Sequence, residues 1–81
     1  MYYTITFNNT HHAIALKKIL SKYISIRTMP VLRVISASCG IALRIEYSDF
    51  AKLNNILESN KNIFDFDLYL VENNKPIKIE I

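Results

Sequence analysis

The sequence predicts an α+β fold of the split βαβ, or ferredoxin-like, kind: a four-stranded antiparallel sheet with two helices on one face. Three observations lead there. Short stretches alternate apolar and polar residues with the period of two that belongs to half-buried strands. Two intervening stretches place apolar residues three and four apart, the period of a helix with one buried stripe. The stretches come in the order β-α-β-β-α-β, and 81 residues leave room for a single domain, residues 1–81, around one core.

"YYTITF", Tyr2 to Phe7, reads as the first strand, β-branched or aromatic at every position, with Tyr3, Ile5 and Phe7 on one side. Asn9 or Thr10 then offers a capping oxygen, and Leu16, Ile19, Leu20 and Tyr23 give a first helix, residues 10 to 22, its apolar stripe. "ISIRTM", Ile24 to Met29, alternates as the second strand and is bounded by Pro30, which cannot donate to a sheet ladder. In "IALRIEY", Ile41 to Tyr47, the third strand turns Ile41, Leu43, Ile45 and Tyr47 inward and Ala42, Arg44 and Glu46 outward. Ser48 is expected to cap the second helix, with Asp49 in its positive first turn, Phe50, Leu53 and Leu57 inward, and fraying near "ESNKN". "FDFDLYLV", Phe64 to Val71, alternates most strictly and makes the fourth strand. "ENNKP" is turn chemistry, so "IKIEI", Ile77 to Ile81, forms a short fifth strand that hairpins onto the fourth or joins another subunit's sheet edge. On these parities Tyr2, Thr4, Met29, Arg44 and Tyr69 share the face the helices leave uncovered, either as a wet surface or as a docking surface.

Composition excludes several classes of function. Hydrophobic residues make up 51% of the chain and charged ones 21%, the balance of a folded protein rather than a disordered one. The net charge of +3 is dispersed, with acids between the cations. Nucleic acid is therefore not an expected partner, because binders concentrate Lys and Arg where phosphates are neutralised. A single cysteine excludes an internal disulfide and fits a reducing compartment. No apolar run approaches the ~20 residues of a membrane span, and the opening residues do not resemble a secretion signal. The expectation is a cytoplasmic protein with no membrane association. So small a core gains from association, which makes a homodimer a natural supplement. His11 and His12 point ~100° apart on a helix without Cys, Asp or Glu at useful spacing, so no metal site and no cofactor is expected. Asp65 and Asp67 share a strand face that reads as solvated rather than catalytic.

One segment carries more chemistry. "VISASCGIALRI", Val34 to Ile45, holds the only cysteine, Cys39, and directly after it the only glycine, Gly40. Cys39 is either a small buried residue on a tight bend or an accessible thiol that works. For the second reading, a free thiol with pKa ~8.5 is only slightly ionised at neutral pH, and nearby cations or N–H groups raise the nucleophilic thiolate share. Arg33 and Arg44 are the nearest cations in sequence. Gly40 can adopt positive φ at little cost and leaves no side chain beside the sulfur. Ser36 and Ser38 can donate hydrogen bonds to a bound anion, and consecutive amides of "SASCG" can form an anion-binding concavity.

The longer string "PVLRVISASCGIALR", Pro30 to Arg44, resembles the hallmark of the Se/S carrier protein-like family of small bacterial domains, P-x-P-R-x-I-S-x-x-C-G-x-A-L-R. Pro30, Arg33, Ile35, Ser36, Cys39, Gly40, Ala42, Leu43 and Arg44 match, while Leu32 stands where the family commonly has a second proline. The opening strand, the helix with Ala13 and Leu20, and "YSDFAKLNNIL" agree in layout, so the likeness covers residues 2 to 70. It implies a non-catalytic carrier that holds sulfur or selenium on Cys39. Its partners would be donor and acceptor proteins, a TusA-like carrier among them, with Gly40, Ser36, Ser38, Arg33 and Arg44 in support. The alternatives are a protein–protein interaction module with a structural cysteine and, behind it, a thiol enzyme or redox sensor.

Overall fold

A computed structural model describes residues 1–81 as one α+β unit. Strand β1 (Tyr2–Phe7) leads into helix α1 (Thr10–Ser21), then β2 (Ile26–Pro30) and β3 (Ile41–Glu46). A 3-10 turn (Tyr47–Asp49) runs into α2 (Phe50–Asn60), and β4 (Phe66–Glu72) and β5 (Lys75–Ile79) close the chain. All neighbours pair antiparallel in the order β2-β3-β1-β4-β5. The first four strands thus have the split βαβ arrangement, with β3 inserted between β1 and β2. The short fifth strand expected at the C-terminus joins this sheet beside β4.

The fifth strand hairpins onto β4 through Asn73 and Asn74, at φ 52° and 63°. A two-residue loop with both φ values positive matches the right-handed twist of the strands, and asparagine tolerates that conformation. β5 begins two residues earlier than the alternation implies because Glu72 pairs Lys75 directly across the turn.

Other boundaries shift for reasons of hydrogen bonding. β2 starts at Ile26, because the amides of Tyr23 and Ile24 are still bonded to the Leu20 carbonyl as the chain leaves α1. Pro30 lies inside β2 rather than beyond it, which an edge strand permits. β4 starts at Phe66, since Phe64 N–H returns to the Asn60 carbonyl and Asp65 N–H donates to His12 Nδ1 at 3.0 Å. Ser48 does not cap α2. It sits within the 3-10 turn, and Asp49 takes the cap position without a side-chain bond to the helix. Tyr3 stacks on Tyr47 at 5.7 Å and on Phe50 at 4.8 Å, fastening that turn to β1 through its rings.

The core is thirteen buried residues on the helix side of the sheet, among them Ile5, Phe7, Leu16, Leu20, Leu43, Ile45, Leu53, Leu57, Leu68 and Cys39. Tyr23, Ile41 and Tyr47, expected inward, are exposed: strand alternation names the face but not how far the helices reach over it. Five buried residues lie outside this cluster. Four of them, Thr4, Thr6, Ala42 and Val71, belong to the opposite sheet face and are at most 2% exposed, and the fifth is Ile35 of the β2–β3 loop. The second face is therefore not bare along its centre. Thr4 Oγ1 donates to the Leu43 carbonyl at 2.9 Å and contacts Met29 Sδ at 3.6 Å, and the Arg44 guanidinium covers the Tyr2 ring at 3.9 Å.

Candidate functional site around Cys39

In the split topology β3 runs beside β1, so the residues that precede β3 meet those that follow β1. Cys39 N–H donates to the Phe7 carbonyl at 3.1 Å, and Ser38 N–H donates to Asn8 Oδ1 at 3.1 Å. The chain then reaches α1 immediately. Asn9 caps it, its Oδ1 accepting from the amides of His11 at 2.8 Å and His12 at 3.4 Å. Cys39 Sγ lies 3.7 Å from Thr10 Oγ1, the hydroxyl of the first helical residue. The sulfur thus lies against the first residue of a 12-residue helix that has no acid in its first turn, with a hydroxyl able to donate to it.

Cys39 is only 5% exposed and belongs to the core cluster. The residues around it are outward: Arg33, Val34, Ser36, Ser38 and Gly40 are all exposed, so the loop presents a mostly polar surface, broken by Val34, with the sulfur beneath it. The loop is lightly fastened. Apart from the two bonds at Ser38 and Cys39, it carries Val31 N–H to the Gly40 carbonyl at 3.4 Å and Ile35 N–H to the Leu32 carbonyl at 2.9 Å.

Several expected contributions change on this geometry. Gly40 has no positive φ, and a Cβ placed on it would meet nothing within 4 Å. The bend does not require glycine. The amides of Ser38 and Cys39 are already bonded to Asn8 and Phe7, so they are not free to form an anion-binding concavity. Arg44 stacks on Tyr2 across the sheet from the core that holds Cys39, which separates its charge from the sulfur by the thickness of the sheet. Arg33 lies in the exposed turn of the loop, outside both ion pairs of the chain. Thr10 and Asn8 enter the site without having been singled out for it. The strand order alone could have found them, since it places the end of β1 beside the start of β3.

The family model described as "Putative Se/S carrier protein-like" matches residues 2–66, which span β1 through the start of β4 and include the whole Cys39 loop. The chain belongs to this family. No curated protein and no solved structure matched it. Within this Se/S carrier-like chain the matched span ends where β4 begins, so most of β4 and all of β5 lie outside it. No helix is long and apolar enough to cross a membrane. His12 accepts the Asp65 amide at Nδ1 and meets the Phe64 ring edge-on at 5.6 Å.

Proposed function

We propose that this chain is a cytoplasmic chalcogen carrier in which Cys39 takes a sulfur or selenium atom from one protein and passes it to another. The observation that carries the reading is the position of Cys39 Sγ against the Thr10 hydroxyl at the positive end of α1. A persulfide or selenopersulfide held there is an anion beside a hydrogen-bond donor and a helix N-terminus, both of which favour negative charge. In loading, the Cys39 thiolate attacks the terminal sulfur of a donor R–S–SH, a new S–S bond forms at Cys39, the donor's S–S bond breaks, and R–S⁻ leaves. Unloading is the same exchange run toward an acceptor thiolate. No oxidant or reductant is consumed, and the chain is a carrier rather than an enzyme.

Burial sets the condition on this chemistry: the loop must move aside before a donor can reach the sulfur. Its few backbone ties make that a local opening rather than unfolding. The second reading, an interaction module with a structural cysteine, draws on the same 5% exposure. Incubation with a small hydropersulfide donor, followed by intact-protein mass measurement of wild type and Cys39→Ser, separates the two. The carrier reading expects a reducible gain of one sulfur in wild type alone, and an unmodified wild type supports the structural cysteine.

A further inference from the structure

A series of shallow hollows that share lining residues runs from the Thr10 end of α1 over the helix side of the molecule, and Cys39 itself lines none of them. Its first part, about 210 Å³, lies between α1 and the edge of the sheet, with Thr10, Ala13, Thr28 and Leu43 on its walls. At one end it joins the hollow formed by Met29, Pro30 and Gly40. At the other it shares Ile14 and Lys17 with a shallow, open strip along the exposed face of α1, which reaches Lys22, a residue that also borders the cleft beside α2. The two residues that flank the sulfur, Thr10 by contact and Gly40 by sequence, both line this path.

The path has a distinct chemistry. Ile41, Ile14 and Tyr23 along it are 47%, 51% and 61% exposed. Lys17, Lys18, Lys22 and Lys52 border it, and none of the chain's seven acids does. The two ion pairs of the molecule, Lys61–Glu58 and Lys78–Asp67, lie elsewhere, so these four lysines have no acidic partner of their own. β2, the strand along the groove, is a sheet edge with unpaired backbone groups.

We infer that this groove receives an extended, acidic, apolar segment of the protein that exchanges cargo with Cys39. The inference rests on the carrier reading for the identity of the partner, and on charge and shape for its chemistry. Acidic side chains complement the lysines, apolar ones cover the exposed isoleucines and Tyr23, and an extended backbone can bond to the edge of β2. A second copy of the chain fits poorly, because packing this face on itself sets lysine against lysine. A flat lipid surface does not reach into a groove, and exposed aliphatic side chains offer little to phosphates or stacked bases. Gly40 acquires a role here that the bend does not explain. It leaves open the end of the groove nearest the sulfur, where a side chain would stand in the partner's way.

The test is an amide-resolved NMR titration of the whole chain with a short peptide of alternating glutamate and isoleucine. The lysine-for-glutamate peptide, phosphatidylglycerol vesicles and single-stranded oligothymidine serve as competing probes. The expected result is shifts confined to α1, Lys22–Tyr23, β2, Gly40–Ile41 and the Lys52–Ile56 stretch of α2 with the acidic peptide, weakened by salt. Lys17→Glu combined with Lys52→Glu, both at exposed positions, should weaken binding about tenfold or more with melting temperature unchanged. Equal binding of the basic peptide, preference for vesicles or DNA, shifts elsewhere, self-association through this face, or no shifts at millimolar peptide would each overturn the inference. Loading of Cys39 by the small hydropersulfide is read on the same samples. Loading without peptide binding removes the groove and keeps the carrier, whereas peptide binding without loading does the reverse.

Discussion

Two residues stand beside Cys39, Thr10 by contact and Gly40 by sequence. Thr10 is the one side chain that offers a proton to Cys39. Thr10→Val keeps the branched shape and removes the hydroxyl, so it should slow hydropersulfide loading several-fold while shifting stability little, the loss of one hydrogen bond being worth about 0.5–1.5 kcal/mol. A loading rate equal to wild type would strip Thr10 of its role. Gly40 supports the opposite expectation for the fold. With no positive φ and open space where its Cβ would be, Gly40→Ala should leave stability unchanged or raise it by about 0.4–1 kcal/mol, because the unfolded chain loses freedom. Urea denaturation measures this, and a clear loss would mean that the loop conformation depends on glycine after all.

Among the elements, the β2–β3 loop is the one that must open for a donor to reach Cys39 under the proposed function. Asn8 pins it through Ser38 N–H, so Asn8→Ala should speed labelling of Cys39 in the folded chain by several-fold, as expected from removing about 1 kcal/mol of local hydrogen bonding. Unchanged labelling would show that the loop is held by packing, with Ile35 as its buried anchor. This loop also marks where the sequence stops being legible. All five strands and both helices could be read from alternation and helical spacing, because the period records an apolar face, although the edge strands β2 and β5 bury no residue fully. Residues 31–40 have no period, so the sequence left Cys39 open between a buried and an accessible reading and carried no sign of the ordinary φ of Gly40. Arg44 was close to the cysteine in sequence and lies on the other side of the sheet, since strand parity outweighs proximity along the chain. Thr10 was distant in sequence and is in contact, since topology brings β1 and β3 together.

The whole molecule is held by one small core, so a group at its margin influences global stability. Burial, and to a lesser degree the neighbouring Tyr47, raises the pKa of Tyr3 above its ordinary 10.0. A group raised in the folded state contributes its stability fully below the unfolded pKa and loses it as pH climbs through the folded one. The chain should therefore lose stability above about pH 10, and Tyr3→Phe should flatten that part of the profile in denaturant titrations at successive pH values. An identical alkaline slope in the variant would place the sensitivity elsewhere.

The central claim concerns Cys39 in the folded molecule. Its most direct test is the intact mass of the chain after hydropersulfide treatment under native conditions, with circular dichroism showing that the fold persists throughout. Folded wild type should gain a single, reducible one-sulfur adduct, and Cys39→Ser none. An adduct that forms only once denaturant has unfolded the chain would contradict that claim and leave Cys39 as a core residue.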